Sequence, residues 1–322
     1  MRIGITGASG AVGSWLSHVF SEKHEVFAYI RESSDDIRLS KNSKIRIERS
    51  TSATTWNDLI ERDRPEILVL SDWVGVGGDF RNSNTQEINV IRQMKTINRV
   101  SKFGVKTIVG IGSQAELGPL RSTAFENSEF NPQTEYAKSK IQAFSALSQS
   151  CLDQGITFYW ARIFSAYGMM DSENWFIPSL ISALSKNHKF QMTDGSQVWS
   201  YLNFIDIAKA IEYVISSDIS SRIVNIGNEK TNTIREIAQI VGDKMDLMEL
   251  IAFGSIQARK DQTFCMQPDC ATLNSLGWTP DIGIKEGIGD IIEWRESSGT
   301  FTKKISKDFE ITIPGYSEYS KK

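Results

Sequence analysis

The sequence has few of the residues that build metal centres, disulfide frameworks or membrane spans. It contains only three cysteines and three histidines in 322 residues. Cys151, Cys265 and Cys270 follow neither a C-x-x-C pattern nor the Cys/His spacing of a zinc site, and an odd number excludes a complete disulfide framework. We therefore expect reduced thiols, a cytoplasmic location and no bound metal.

Long apolar runs and an excess of one charge are also missing. No window approaches the ~20 apolar residues that cross a bilayer, and residues 1–6 lack the start of a signal peptide. With 36 Lys+Arg against 39 Asp+Glu the net charge is -3, so no broad basic surface exists for nucleic acid or an anionic membrane. The composition, 40% hydrophobic and 23% charged, is typical of a globular protein. We expect neither nucleic acid nor membrane as a partner.

Short apolar runs alternate with longer helical patterns over the first half of the chain. The predicted strands are 2–6, 25–30, 44–48, 66–70, 106–112 and 156–163. The predicted helices are 12–22, 55–63, 84–103 and 132–154. This order predicts an α/β fold, with a Rossmann-type, doubly wound parallel sheet that helices cover on both faces.

The regular alternation ends after Gly168. The remaining predicted elements are helices 176–184 and 206–216 and strands 198–204 and 222–226. We expect residues 1–168 to form an NAD(P)-binding domain to which 204–227 return. Residues 169–203 and 228–322 would form a smaller, C-terminal substrate-binding lobe.

A glycine-rich loop separates the first predicted strand from the first predicted helix. It reads Gly7-Ala8-Ser9-Gly10-Ala11-Val12-Gly13. Glycines there let the backbone approach a pyrophosphate, whose charge the exposed N–H groups and the helix N-terminus stabilise. The alternative is a plain structural turn. The order of strand, loop and helix favours a dinucleotide site formed by Gly7, Ser9, Gly10, Ala11, Val12 and Gly13.

Arg31, at the end of the second predicted strand, bears on the choice of cofactor. An NAD-binding chain is expected to place Asp or Glu there, on the ribose 2′-hydroxyl. A guanidinium would instead pair with a 2′-phosphate, which favours NADP over NAD. The alternative is a solvated surface arginine, since Glu32, Asp35 and Asp36 are close in sequence. Arg49 is a weaker candidate for the same ligand.

Tyr136, Lys140 and Ser113 are the candidate catalytic residues. Tyr136 and Lys140 are four positions apart at the start of a predicted helix, so both project from one helical face. An ammonium beside a phenol stabilises phenolate and makes the pair a general acid/base. Ser113 follows a predicted strand, and sheets of this type bind ligands at the carboxyl ends of their strands. Ser113 and Tyr136 would therefore act on the same substrate oxygen.

Several segments together resemble one known family, over nearly the whole chain. Beside the glycine loop they are Asn89, Gly104-Val105-Lys106, Gly112-Ser113-Gln114-Ala115-Glu116-Leu117-Gly118, Tyr136-Ala137-Lys138-Ser139-Lys140, Arg162-Ile163-Phe164-Ser165-Ala166-Tyr167-Gly168, Asp194-Gly195-Ser196-Gln197 and Leu276-Gly277-Trp278-Thr279-Pro280. They resemble the extended short-chain dehydrogenase/reductases, in particular the bacterial nucleotide-sugar epimerases, dehydratases and 4-keto reductases.

The resemblance implies a role for most of these positions. It implies a bound NAD(P) that exchanges hydride with a sugar carbon, with Tyr136 exchanging the proton and Lys140 also holding the nicotinamide ribose. Further cofactor residues would be Asn89 and Ile163. The implied substrate residues are Ser113, Gln114, Ser165 and Arg259, although Arg259 could also be a loop arginine in water. Trp175 and Trp199 join them only because they lie in the lobe expected to hold substrate. Helices 84–103 and 132–154 resemble those that pair across a two-fold axis in relatives, which implies a homodimer.

Two departures from the family pattern are informative. Dehydratases of the family carry an Asp-Glu pair directly after the Ser/Thr, where this chain has Gln114-Ala115. Neither residue can donate an acidic proton, and Glu116, one position further on, is expected to point elsewhere. Trp199 stands where relatives have an arginine, and its indole could pack against a base or a sugar.

Three functions stay open from the sequence. The first is NADPH-dependent reduction of the C4 keto group of a nucleotide-activated 4-keto-6-deoxysugar, in the biosynthesis of a deoxysugar for surface polysaccharide. The second is a nucleotide-sugar 4-epimerase, which mostly uses NAD in this family and is therefore disfavoured by Arg31. The third is a non-catalytic NADP-binding sensor, because a fold alone does not guarantee chemistry.

Overall fold

The computed structural model describes residues 1–220, 222–258, 263–307 and 309–321. Its strands are β1 (Arg2–Thr6), β2 (Glu25–Arg31), β3 (Ile45–Ser50), β4 (Ile67–Leu70), β5 (Thr107–Ser113), β6 (Thr157–Ile163), β7 (Ser165–Tyr167), β8 (Phe190–Gln191), β9 (Val198–Trp199), β10 (Tyr201–Asn203), β11 (Arg222–Ile226), β12 (Asn232–Thr233), β13 (Ile251–Ala252), β14 (Cys265–Met266), β15 (Thr300–Lys304) and β16 (Glu310–Pro314). Its helices are α1 (Ala11–Phe20), α2 (Trp56–Asp63), α3 (Thr85–Ile97), α4 (Glu135–Gln154), α5 (Phe176–Ser185), α6 (Phe204–Ile215), α7 (Ile234–Met245), α8 (Ala271–Ser275), α9 (Ile284–Glu296) and α10 (Tyr316–Tyr319).

The central sheet has seven parallel strands in the order β11-β6-β5-β4-β1-β2-β3. All four residues of β4 are buried, because helices cover both faces of the sheet. The predicted Rossmann-type fold is therefore confirmed. The strand order reverses between β1 and β4, and such a reversal opens a crevice at the carboxyl ends of the strands.

Local capping sets the bounds of the helices that flank the site. α4 begins at Glu135, later than predicted, because the side chain of Thr134 accepts a hydrogen bond from the Ala137 N–H and caps the helix. α3 ends at Ile97, so the predicted helix 84–103 is too long. Arg99 leaves the helical conformation with φ -141°, and residues 100–103 form a separate 3-10 turn.

The predicted strand 198–204 is divided in two and ends at Asn203. Its residues form β9 and β10, which belong to two different small sheets. Ser200 lies between them, and its N–H donates to the Met266 carbonyl while its hydroxyl accepts from the Asn228 N–H. Phe204 belongs to α6, which begins there because the side chain of Asn203 accepts from the Ile205 N–H.

The C-terminal segment, which the sequence leaves without a role, folds onto α9. Strands β15 and β16 form an antiparallel hairpin, and α10 follows it. The Trp294 indole donates to the Pro314 carbonyl and packs at 5.2 Å, between ring centroids, against both Tyr316 and Tyr319. Over the described ranges, no helix combines the length and apolar character needed to cross a membrane.

Candidate active site

A crevice opens where β1 and β4 end, at the reversal of strand order. Its walls are Gly7, Ser9, Gly10, Arg31, Ser34, Trp56, Ser71, Asp72, Trp73, Val74 and Arg92. Gly7 has φ +64°, and a β-carbon placed on it would lie 2.6 Å from the Asp72 Cα. Only glycine therefore lets the turns after the two strands approach this closely.

The glycine loop presents the N-terminus of α1 without a side-chain cap. Gly10 is the residue before the helix, and no side chain in the described part of the chain caps it. A β-carbon on Gly13 would lie 2.6 Å from the Gly7 carbonyl oxygen, so the loop is closed tightly on itself. Free N–H groups and the helix dipole at this point suit a pyrophosphate. Ser9 in the loop and Ala11 and Val12 in the first turn of α1 are all half-buried.

Arg31 stands at the exposed end of β2 and borders the crevice. Its guanidinium has no hydrogen-bond or ion-pair partner among the residues described. Ser34 and Trp56 lie beside it, and the buried indole nitrogen of Trp56 lacks a partner in the same ranges. Arg49, the weaker candidate, is already paired with Asp36 at 2.6 Å. Only Arg31 of the two therefore has a free guanidinium.

Asp72 and Asn89 shape the wall that follows β4. The Thr6 hydroxyl donates to Asp72 Oδ1 at 2.6 Å, whereas Oδ2 is buried with no partner in the described chain. Burial raises the pKa of Asp72, against the effects of Thr6 and Arg92. Asn89 accepts from the Val74 N–H and donates to the Val74 carbonyl. These two hydrogen bonds fix the backbone of Val74, which forms part of the crevice wall.

Ser113 and Tyr136 lie together at the end of β5. Ser113 is the last residue of that strand, next to Ile163 of β6, and its side chain lies close to the Tyr136 phenol. Tyr136 is 7% exposed and packs edge-on against Trp73, a wall of the crevice. Burial raises the pKa of Tyr136, whereas Ser113 and Arg81 lower it. Two hydroxyl groups are therefore available to one substrate oxygen.

Lys140 is buried one helical turn after Tyr136. Its Nζ donates to the Ile111 carbonyl at 2.7 Å and lies 3.7 Å from the centroid of the Trp73 ring. The distance from Nζ to the centroid of the Tyr136 ring is 5.8 Å. Burial lowers the pKa of Lys140 to about 7, although the negative charges of Glu116 and Asp72 oppose that change.

Glu116 points away from the crevice and into the core. It accepts hydrogen bonds from the Ser113 N–H at 2.7 Å and from the Trp160 indole at 3.1 Å, and it pairs with Arg162 at 3.1 Å. Gln114 and Ala115 are both half-buried. With Glu116 fully engaged, no carboxyl group directly follows Ser113 on the substrate side.

Two of the substrate residues predicted after β6, Ser165 and Trp199, are linked through Met266. The Ser165 hydroxyl contacts the Met266 sulfur at 3.0 Å, and Met266 pairs with Trp199 between β14 and β9. Trp199 donates from its indole to the Thr263 carbonyl at 3.0 Å. Arg259, predicted to hold substrate phosphates, lies outside the described residues.

Trp199 also borders a second, largely apolar cavity of about 250 Å³. Its other walls are Phe176, Phe190, Gln191, Met192, Thr193, Gln197, Ile234 and Ile256. Trp175, the other tryptophan predicted to contact substrate, is 41% exposed and is not a wall of this cavity. It lies against the loop after β4. A β-carbon on Gly77 would lie 3.4 Å from its indole.

Sequence reasoning missed Arg38, which links the glycine loop to the C-terminal helix. Its Nη1 donates to the Ser9 carbonyl at 3.0 Å, Nε to the Met170 carbonyl at 3.1 Å and Nη2 to the Tyr319 hydroxyl at 2.5 Å. Asp72 and Arg81 were missed as well. Asp72 carried a usable signal, because a polar residue soon after a buried strand of such a sheet lies at its ligand-binding edge.

Residues 3–227 match the NAD dependent epimerase/dehydratase family. The chain belongs to this family. That membership confirms the predicted family and enzyme class, an NAD(P)-dependent enzyme of the extended short-chain dehydrogenase/reductase type. The family's enzymes modify nucleotide-sugars.

Individual relatives are distant but cover nearly the whole chain. GDP-L-fucose synthase 1 of Arabidopsis thaliana is 21% identical over 91% of this chain and 92% of its own length. The solved UDP-N-acetylglucosamine 4-epimerase of Methanobrevibacter ruminantium has a TM-score of 0.79 at 18% identity, over 91% of this chain and 97% of that one. The dTDP-glucose 4,6-dehydratase of Bacillus anthracis, solved with NAD, has a TM-score of 0.78 at 17% identity, over 92% and 96%. At these identities the solved structures establish the fold.

Proposed function

We propose that the protein is an NADPH-dependent reductase that acts on the C4 keto group of a nucleotide-activated 4-keto-6-deoxysugar. The observation that carries the proposal is the closeness of the Ser113 and Tyr136 side chains beside the crevice, while Glu116, the first acidic residue after Ser113, is engaged with Arg162 in the core. Such a pair suits protonation of a carbonyl oxygen. The product would be a deoxysugar for a surface polysaccharide.

The crevice has two places that suit the phosphate groups of NADPH. The uncapped N-terminus of α1 would hold the pyrophosphate, and the unpaired guanidinium of Arg31 would hold a 2′-phosphate. The Bacillus anthracis dehydratase binds NAD, so the preference for NADP rests on Arg31 alone. Binding titrations with NADPH and NADH test it separately from turnover.

The chain's own residues supply the proton and the alignment. When bound, a reduced nicotinamide would supply the hydride to C4. Tyr136 would donate its proton to the C4 oxygen, and Ser113 would donate a hydrogen bond to the same oxygen. Lys140 would hold the ribose next to them. The substrate gains one hydride and one proton, and the Tyr136 phenolate is then reprotonated from solvent.

The second cavity suits the nucleotide end of the substrate. Its walls are mostly apolar and include the rings of Phe176, Phe190 and Trp199. Aromatic rings stack on bases of any kind, so these walls do not select one base by themselves. The contacts from Trp199 through Met266 to Ser165 connect this cavity with the end of β6, next to Ser113.

A 4-epimerase is the second candidate, favoured by the similarity to the Methanobrevibacter ruminantium enzyme over 91% of the chain. An epimerase would oxidise C4 and return hydride to the opposite face, so its cofactor is not consumed. A 4,6-dehydratase is disfavoured, because Gln114 and Ala115 cannot protonate a leaving hydroxyl and Glu116 is paired with Arg162.

One assay separates these functions. The protein is mixed with NADPH and, in turn, a CDP-, GDP- or dTDP-4-keto-6-deoxysugar, and nicotinamide absorbance is followed. We expect loss of NADPH in a 1:1 ratio to the sugar reduced. In a parallel mixture of oxidised cofactor and a nucleotide-sugar that carries a C4 hydroxyl, interconversion of the two C4 epimers without net reduction of the cofactor would support the epimerase. Saturable NADPH binding without turnover on any sugar would support a sensor.

We also propose a homodimer formed through α3 and α4. These helices pack against each other, and α3 exposes Ile88 and Ile91 at 53% and 48%. Isolated exposed apolar side chains are common, but two on one helical face suit a subunit interface. Light scattering tests this, and Ile88→Glu is expected to shift the protein from dimer to monomer.

A further inference from the structure

Arg81 lies directly over the Tyr136 ring, although no sequence pattern singles it out. The central carbon of its guanidinium is 4.4 Å from the ring centroid. Arg81 belongs to a 3-10 helix, Gly78–Asn82, between β4 and α3. Its Nη1 donates a 2.9 Å hydrogen bond to the Val76 carbonyl, which holds the side chain over the ring.

Among the residues that the structure describes, no carboxylate forms an ion pair with Arg81. The side chain is half-buried, and a guanidinium stays protonated even when partly removed from water. A full positive charge therefore faces the π-system of a phenol, the arrangement of a cation–π contact.

Lys140 is less suited to be the only cation that acts on the phenol. Its Nζ is further from the Tyr136 ring, at 5.8 Å, and is held by the Ile111 carbonyl and the Trp73 ring. Burial also lowers the pKa of Lys140, which disfavours its charged form. Arg81 is both closer and constantly charged.

We propose that Arg81 is a positioning residue that makes Tyr136 a stronger proton donor, in addition to Lys140. A cation on the ring face stabilises phenolate relative to phenol, so the proton leaves more readily during reduction. The inference rests on the proposed function, because it assumes that Tyr136 is the proton donor. It adds that the loop after β4, as well as α4, sets the acidity of the site.

Other charged and polar groups act on the phenol or on its neighbour Lys140 of α4. Ser113 and Glu116, at and after the end of β5, act on Tyr136 directly. Asp72, after β4, acts on Lys140, and Arg92 of α3 acts on Asp72. Burial is the largest effect and raises the pKa of Tyr136; Ser113 and Arg81 lower it, and Glu116 raises it. Glu116 is paired with Arg162, so Arg81 is the charge whose removal should change Tyr136 most.

The ionisation of Tyr136 can be measured without turnover. Tyrosinate absorbance is titrated in the protein and in Tyr136→Phe, and the difference gives the curve of Tyr136 alone. The same pair is titrated in an Arg81→Met background. We expect the difference curve to move to higher pH in Arg81→Met and to return toward its original position in Arg81→Lys. An unchanged curve in Arg81→Met would overturn the proposal.

Two further variants serve as a control and as a substitute for Arg81→Met. Arg99 is exposed on the segment after α3, so Arg99→Met removes the same charge at the surface and should leave the curve in place. Arg81→Gln removes the charge but keeps a donor for the Val76 carbonyl. It replaces Arg81→Met if thermal melting shows that the latter is unfolded, with the same expected shift.

The pH profile of turnover separates this role from binding of substrate by Arg81. Without the cation the phenol keeps its proton to higher pH, so the alkaline limb of kcat/KM for reduction should move upward. The fall in kcat should be smaller than the roughly 10²–10⁴-fold loss expected without the phenol, with sugar KM nearly unchanged. A raised KM with an unshifted limb would contradict the proposal. Absence of turnover in the unaltered protein would contradict the reductase, while the absorbance titration would still decide the role of Arg81.

Discussion

The proposed cofactor end and the proposed substrate end of the site are built in different ways. At the cofactor end, one seven-stranded sheet positions backbone groups, and Gly7 and Gly13 leave no room for a side chain. At the substrate end, β8, β9 and β14 have two residues each, and the rings of Phe176, Phe190 and Trp199 form the cavity wall. On the proposed roles, side chains would form most of the contacts with the substrate, whereas the backbone of the glycine loop would hold the pyrophosphate of the cofactor.

Tyr136→Phe should have the largest effect and should leave the cofactor end intact. Loss of one positioned proton donor is expected to reduce turnover by about 10²–10⁴-fold, with little change in NADPH affinity. Steady-state rates and fluorescence titration of NADPH measure the two. Tyr159→Phe is the control, because its hydroxyl donates to the Ile219 carbonyl, remote from the site. Near-normal turnover in Tyr136→Phe would refute the assigned acid.

Arg31→Ala should act only at the cofactor end. Loss of a charge-assisted contact with a 2′-phosphate is expected to weaken NADPH binding by roughly 10- to 100-fold, corresponding to about 1.5–3 kcal/mol. NADH affinity should change little, since NADH lacks that phosphate. Arg49→Ala is the matched control, because Arg49 is paired with Asp36. An Arg31→Ala protein that still prefers NADPH would remove the case for NADP.

Trp199→Ala should act only at the substrate end. Loss of one aromatic contact of about 1–1.5 kcal/mol is expected to raise the sugar-nucleotide Kd by roughly 5- to 10-fold. The NADPH Kd should not change. Calorimetry with the nucleoside diphosphate alone measures the first effect. Equal weakening of both ligands would mean that the two ends are not independent.

Tyr319→Phe should have the smallest effect, at the border of the cofactor end. It removes the hydroxyl that accepts from Arg38, which in turn holds the Ser9 carbonyl. One hydrogen bond of about 0.5–1 kcal/mol corresponds to roughly 2- to 5-fold weaker NADPH binding. Tyr316→Phe lies on the same helix but contacts Glu173, so it should leave NADPH binding unchanged. Equal values in the two variants would mean that the tail does not act on the glycine loop.

The half of the fold that contains the central sheet could be predicted because patterns of neighbouring residues in the sequence determine its strands and helices. The strands of the central sheet are buried on both faces and read as apolar runs, so most predicted bounds differ from the observed ones by one or two residues. The glycine loop follows from the same order, because it occupies the one turn between the first strand and the first helix.

The substrate half could not be predicted to the same extent, because long-range contacts decide its structure. Residues 198–204 look like one strand, yet β9 pairs with β12 and β14 whereas β10 pairs with β7 in another sheet. Arg81 was missed for a related reason. Its position over Tyr136 depends on how a loop folds back onto α4, and spacing in the sequence carries no sign of that.

The central claim is that hydride and proton are added to one sugar carbonyl, the proton coming from Tyr136. Reduction with NADPH carrying deuterium at the transferred position of C4, followed by NMR of the sugar product, tests it most directly. We expect one deuterium at sugar C4 per NADPH consumed, and almost none when Tyr136→Phe is used over the same time. Deuterium at another carbon, or a product that forms without deuterium, would contradict the account.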